Sequence, residues 1–154
     1  MEKLHLISAD TLFYQPLDHP KMLIDGILSN GLAILSGDSK IGKSWMVLWL
    51  CLKISRGEPV WGLPTAKTDV IYLALEDNDW RIQQRMQDLV DIPPDNLQFG
   101  FSCGKLGAEL EGQIKGVLED NPNTGLLFID TLQMVRDNVS SRVNAYAQDY
   151  KDLS

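Results

Sequence analysis

The sequence predicts an α/β domain with a parallel sheet flanked by helices on both faces. Three observations lead there: short runs that are uniformly apolar, helical stretches between them, and a length suited to one domain. A strand buried on both faces reads as a continuous apolar run, the mark of a parallel sheet covered by crossover helices. The chain has 154 residues, 44% hydrophobic and 23% charged. That is enough to bury one sizeable core, and too little for two. The expected organisation is a lead-in over 1–30 followed by the core over 31–154.

The lead-in is mixed in polarity, broken by Pro16 and Pro20, and ends in the turn signal Asn30-Gly31. Residues 31–36, GLAILS, predict a short buried strand entering a glycine-rich loop. A helix follows over 43–55. Its middle, WMVLWLCL, is apolar on nearly every side, so packing on several sides is expected, with Gly57 as its C′ residue. DVIYLAL, residues 69–75, is the second apolar strand. Asn78 or Asp79 caps a helix running to about Leu89, with acidic groups at its positive end. Pro93-Pro94 precedes a weaker strand over 97–101. A helix over 108–119 stops at Asn121-Pro122-Asn123, the run LLFID over 126–130 forms another strand, and a last helix covers 143–153.

Charge and composition exclude several classes. Lys and Arg number 14 against 21 Asp and Glu, a net charge of −7, whereas a domain that coats DNA or an anionic membrane carries a basic surface. Any nucleic-acid contact is expected to be local. MEKLHLISAD has no apolar signal-peptide core, and the longest apolar run, 45–52, is far short of the roughly 20 residues of a membrane span. Cys51 and Cys103 make no disulfide framework. A cytoplasmic setting without membrane contact is expected.

Gly37-Asp38-Ser39-Lys40-Ile41-Gly42-Lys43-Ser44 fits G-x-x-x-x-G-K-[ST] without exception, between a predicted strand and a predicted helix. The spacing has a physical reason. Two glycines let the backbone curl until successive N–H groups face one anion, and the helix N-terminus adds its dipole. Lys43 is placed to reach the β- and γ-phosphates of ATP, and the Ser44 hydroxyl to bind Mg²⁺. Trp45 extends this nucleotide-binding segment, although its spacing of four from Trp49 places both in the core.

In parallel sheets ligands bind at the carboxyl ends of the strands, which puts the chemistry after Ser36, Leu75 and Ile129. Asp130 follows four apolar residues, as a Walker B aspartate does, and is expected to orient the Mg²⁺ shell through water. Thr131 either supports the site or caps the turn. Glu76 ends LALE in the same crevice, where a carboxylate can deprotonate an attacking water. The alternative, that Glu76 and Asp77 only complement a helix N-terminus, is equally compatible with the residues alone.

GLAILSGDSKIGKSW, VIYLALEDNDWRIQQRM, LLFIDTLQMVR and NAYAQDY, in that order, resemble the RepA-like ATPases of plasmids and prophages over about residues 22–154. The resemblance implies a RecA-like P-loop fold, Mg²⁺-dependent ATP hydrolysis, a homo-oligomeric ring and a part in replicating a mobile element's DNA. It implies that Glu76 is the catalytic base, with Lys43 at the phosphates and Asp130 as the Walker B acid. Arg81, Arg85 and Arg136 match family arginines, but surface or ion-pair roles are expected for them.

The family continues past the YxxDY helix into a strand lying between the phosphate-loop strand and the Walker B strand; here the sequence stops at Ser154. The core is thus expected to be incomplete at its C-terminus, with unpaired apolar sheet edges. Weak or absent turnover with nucleotide binding retained follows. A truncated nucleotide-binding or interaction module is one alternative; a small-molecule P-loop kinase is another, disfavoured because no Arg-rich lid is visible. Cys51 reads as packing, His5 and His19 lack companions at zinc-ligand spacing, and Tyr146 and Tyr150 read as packing.

Overall fold

The computed structural model describes residues 4, 6–18, 20–38 and 40–136. The helix expected over 143–153, with Tyr146 and Tyr150, lies outside them, as do His5, His19 and Ser39. The lead-in holds elements the sequence reading did not anticipate. Helix α1 (Ala9–Tyr14) starts at Ser8, whose hydroxyl accepts from the Thr11 N–H at 3.1 Å. A small antiparallel hairpin pairs β1 (Met22–Ile24) with β2 (Leu28–Ser29). It delivers Ile24 into the core.

Helix α2 (Lys43–Arg56) is the centre of packing. Val47, Leu48, Leu50, Cys51, Leu52 and Ile54 are all buried, as its all-round apolarity requires. Gly57 closes it in the left-handed region at φ 69°, donating to the Ile54 carbonyl while Glu58 N–H reaches Lys53.

The main sheet has three parallel strands in the order β4-β3-β5: β3 (Asp69–Ala74) at the centre, β4 (Leu97–Gly100) and β5 (Thr124–Asp130) on its flanks. Alternation along β3 sends Val70, Tyr72 and Ala74 into the core built on α2. Leu97 and Phe99 of β4 and Leu126 and Phe128 of β5 join them on that face. Helix α3 (Asp79–Leu89) contributes the buried Ile82, and its Asn78 cap accepts from Arg81 N–H at 2.9 Å. Ile71, Leu73 and Leu127 point the other way, toward α4 (Ala108–Asp120), with a cavity of about 460 Å³ between sheet and helix. A short α5 (Leu132–Val135) follows β5. The fold is therefore α/β, a parallel sheet flanked by helices.

One element differs. Residues 31–36, read as a buried strand, form none; Leu32, Leu35 and Ile34 are exposed, the last at 70%. A strand is stabilised by a neighbour that takes up its backbone groups and covers its faces. Both strands bonded to β3 are in place, and no described strand pairs with 31–36. Apolar composition alone did not bury this segment. Among the described residues no helix is long and apolar enough to cross a membrane.

Candidate functional site

The glycine-rich loop keeps the curl its spacing calls for. Lys40 and Gly42 both take positive φ, 64° and 92°, and the second turns the chain directly into α2. Glycine adopts that conformation without strain, whereas Lys40 holds it at a cost. A Cβ on Gly37 would stand 2.7 Å from Ile41 Cδ1, so the loop closes tightly over its first glycine. Lys43 Nζ folds back across the loop and donates to the Gly37 carbonyl at 2.8 Å and the Asp38 carbonyl at 2.6 Å. Helix α2 opens at Gly42 with no side-chain cap, leaving the N–H groups of its first turn for a ligand.

The acidic strand tips are brought together. Asp130 is the last residue of β5, and its carbonyl accepts from Leu75 N–H at 2.7 Å, in the turn that presents Glu76. Glu76 stands two residues beyond the end of β3 and is exposed, accessible to a water molecule or a ligand. The Asp130 carboxylate is held from the side: the Tyr72 hydroxyl donates to its Oδ2 at 2.8 Å. Burial first, and then this bond to Asp130, push the Tyr72 phenol well above its ordinary range, so it remains a donor. The peptide between Asp130 and Thr131 is cis, and Thr131 makes no side-chain cap to α5.

A second network ties the Glu76 turn to the phosphate loop. Asp77 accepts from Arg81 at 3.0 Å and from Arg85, and its side chain is only 7% exposed. The Arg85 guanidinium also lies over the Trp45 ring, 5.5 Å from its centroid. Trp45 is the third residue of α2, so the ion pair reaches the first turn of the loop's helix. Trp45 is thus not a core residue as its spacing suggested; it is exposed, while Trp49 is half-buried against Trp61. The two positions lie about 40° apart around the helix: Trp49 turns toward Trp61, and Trp45 toward the Arg85 guanidinium.

Of the residues singled out from sequence, Gly37, Asp38, Lys40, Ile41 and Gly42 lie in the loop and Lys43, Ser44 and Trp45 in the first turn of α2, while Glu76 follows β3 and Asp130 ends the neighbouring β5. Cys51 is fully buried, and burial raises its thiol pKa well above the ordinary value, so it is packing. Arg81 and Arg85 are ion-pair residues, as expected. Arg136 donates to Gln133 at 3.2 Å. Sequence reasoning missed Tyr72, and gave Asp77 only as a complement to the next helix's N-terminus, not as the partner of Arg81 and Arg85. A tyrosine within a run of aliphatic residues was an available signal, because a buried hydroxyl must find a partner.

Ser44 and Asp130 offer hard oxygen donors, the chemistry Mg²⁺ takes. Among the described residues no group of three or more His, Cys, Asp or Glu is assembled as a metal cage. No curated protein and no solved structure matches the chain. The family model described as AAA domain matches residues 2–149. A glycine-rich loop that opens into an uncapped helix mouth suits that assignment: the chain belongs to the AAA domain family of P-loop ATPases.

Proposed function

We propose that this chain is the ATP-binding core of a RepA-like helicase-type ATPase, cytoplasmic, ring-forming and engaged in replicating a mobile element's DNA. The observation that supports it best is Lys43, whose ammonium bridges the Gly37 and Asp38 carbonyls over an uncapped helix mouth. Two neutral acceptors hold the charge in place, and phosphate oxygens are stronger acceptors for it. Nucleotide entry exchanges the first pair for the second. The backbone N–H groups at the head of α2 receive the phosphate chain, aided by the helix dipole.

Ser44 and Asp130 would hold Mg²⁺, which when bound neutralises charge on the β- and γ-phosphates. Glu76, exposed just beyond the end of β3, takes the proton of the attacking water. Arg85 and Asp77 keep the Glu76 turn against the first turn of α2. With a net charge of −7, contact with DNA is confined to particular loops.

Binding of Mg-ATP by wild type and Lys43→Ala, measured by calorimetry, tests this reading. A loss of tenfold or more, about 1.4 kcal/mol, is expected, because Lys43 supplies the charge that meets the phosphates. Unchanged affinity would falsify the loop assignment.

A second reading is an interaction module without turnover. It draws on the exposed Leu32, Ile34 and Leu35 and on β5, which pairs only with β3 among the described strands. An unpaired strand edge and an exposed apolar segment each invite a partner. Tight association with a longer homologue, with no ATP hydrolysis in either partner's absence, would favour it.

A further inference from the structure

We infer that Tyr72 is a positioning residue for Asp130, fixing the carboxylate that orients the Mg²⁺ shell; this rests on the role proposed above for Asp130. In the strand register Ala74 is opposite Asp130 and Tyr72 is opposite Phe128, so Tyr72 and Asp130 are diagonal neighbours on the same face. That diagonal spans about 7–8 Å between backbones, within reach of a tyrosine and beyond that of a small side chain.

The phenol is itself immobilised. Tyr72 is fully buried on the central strand, with its ring against Phe99 and Phe128 at centroid distances of 5.8 and 6.4 Å. Asp130 is therefore held twice from this side, at its carbonyl by the N–H of Leu75 just after β3 and at its carboxylate by Tyr72 of β3. A carboxylate has about four lone-pair sites on two oxygens. One bond to Oδ2 sets its rotation and leaves acceptor capacity for a metal-bound water. Such outer partners of a metal-facing carboxylate set ligand orientation and affinity. Phenylalanine would fill the same core space, so packing alone does not account for the hydroxyl.

The test reads the strengthening of ATP affinity by Mg²⁺, the ratio of Kd in EDTA to Kd with the ion, by calorimetry on the intact chain. Tyr72→Phe is expected to lower that ratio about tenfold while leaving the affinity in EDTA as in wild type. Asp130→Asn should lower it at least as far, and the double variant should match Asp130→Asn alone. A melt of each variant establishes folding. A wild-type ratio in Tyr72→Phe, with a lowered one in Asp130→Asn, overturns the role of Tyr72 and keeps that of Asp130. A wild-type ratio in Asp130→Asn overturns the assignment of Asp130 itself. A further drop in the double variant below Asp130→Asn also overturns the inference, since Tyr72 would then act by another route.

Discussion

Arg85 pairs with Asp77 eight residues before it, and the same guanidinium covers the Trp45 ring. One cation thereby joins the turn after β3 to the head of α2. Because Asp77 is 7% exposed and Arg85 16%, removing either partner leaves a charge largely out of water. Asp77→Ala is expected to destabilise the fold by about 2–3 kcal/mol, within the cost of orphaning a desolvated charge. Arg81, at 53% exposure, contributes an ordinary surface pair, so Arg81→Ala should cost under about 0.5 kcal/mol. Urea denaturation of the two variants separates them; equal losses would show that the pairing is not graded by burial.

The exposure of residues 31–36 makes a sharp contrast with the core. Ile34→Ser should change stability by less than about 0.5 kcal/mol, as a surface substitution does. Leu48→Ala, at a fully buried position on α2, should cost about 2–5 kcal/mol. Thermal melts check the pair. A large loss in Ile34→Ser would mean that the segment is buried after all.

Alkaline pH should weaken the fold through Tyr72 and Cys51, whose pKa values are raised mainly by burial. Both keep their protons in the folded chain after the unfolded chain has lost them. Their contribution is fully present below the ordinary values of about 8.5 for cysteine and 10 for tyrosine. It declines as pH climbs from there toward the folded values. Tyr72→Phe removes the tyrosine share, so its stability should fall less steeply than wild type above about pH 10. Urea midpoints taken from pH 8 to 11 measure both slopes, and parallel slopes would contradict the burial of the phenol.

Glu76 is exposed, so Glu76→Gln should leave the melting temperature and Mg-ATP affinity close to wild type. Any hydrolysis the chain supports should disappear, because an amide cannot take the water's proton. Phosphate release is the readout; persistence of turnover would remove Glu76 from the role of base.

Much of the architecture was legible because local rules agreed with one another. Asn78 caps α3, Gly57 ends α2, and the apolar run from Asp69 continues into the central strand. The turn of the glycine-rich loop into α2 was legible for a similar reason: positive φ at Gly42 and the reach of Lys43 back over Gly37 are properties of a few adjacent residues. The short helix and hairpin of the lead-in were hidden because elements of three to six residues leave little periodicity to read.

What sequence alone determined about this protein was local structure held within short stretches of chain: the curl of the glycine-rich loop, the helix caps, the acids at the strand ends. Tertiary structure decided which apolar run found a neighbour, that Trp45 lies beneath Arg85, and that Tyr72 steadies Asp130 from 58 residues away. The reason is physical: caps and tight loops close over bonds between near neighbours, whereas burial and cross-strand pairing exist only once distant segments have come together.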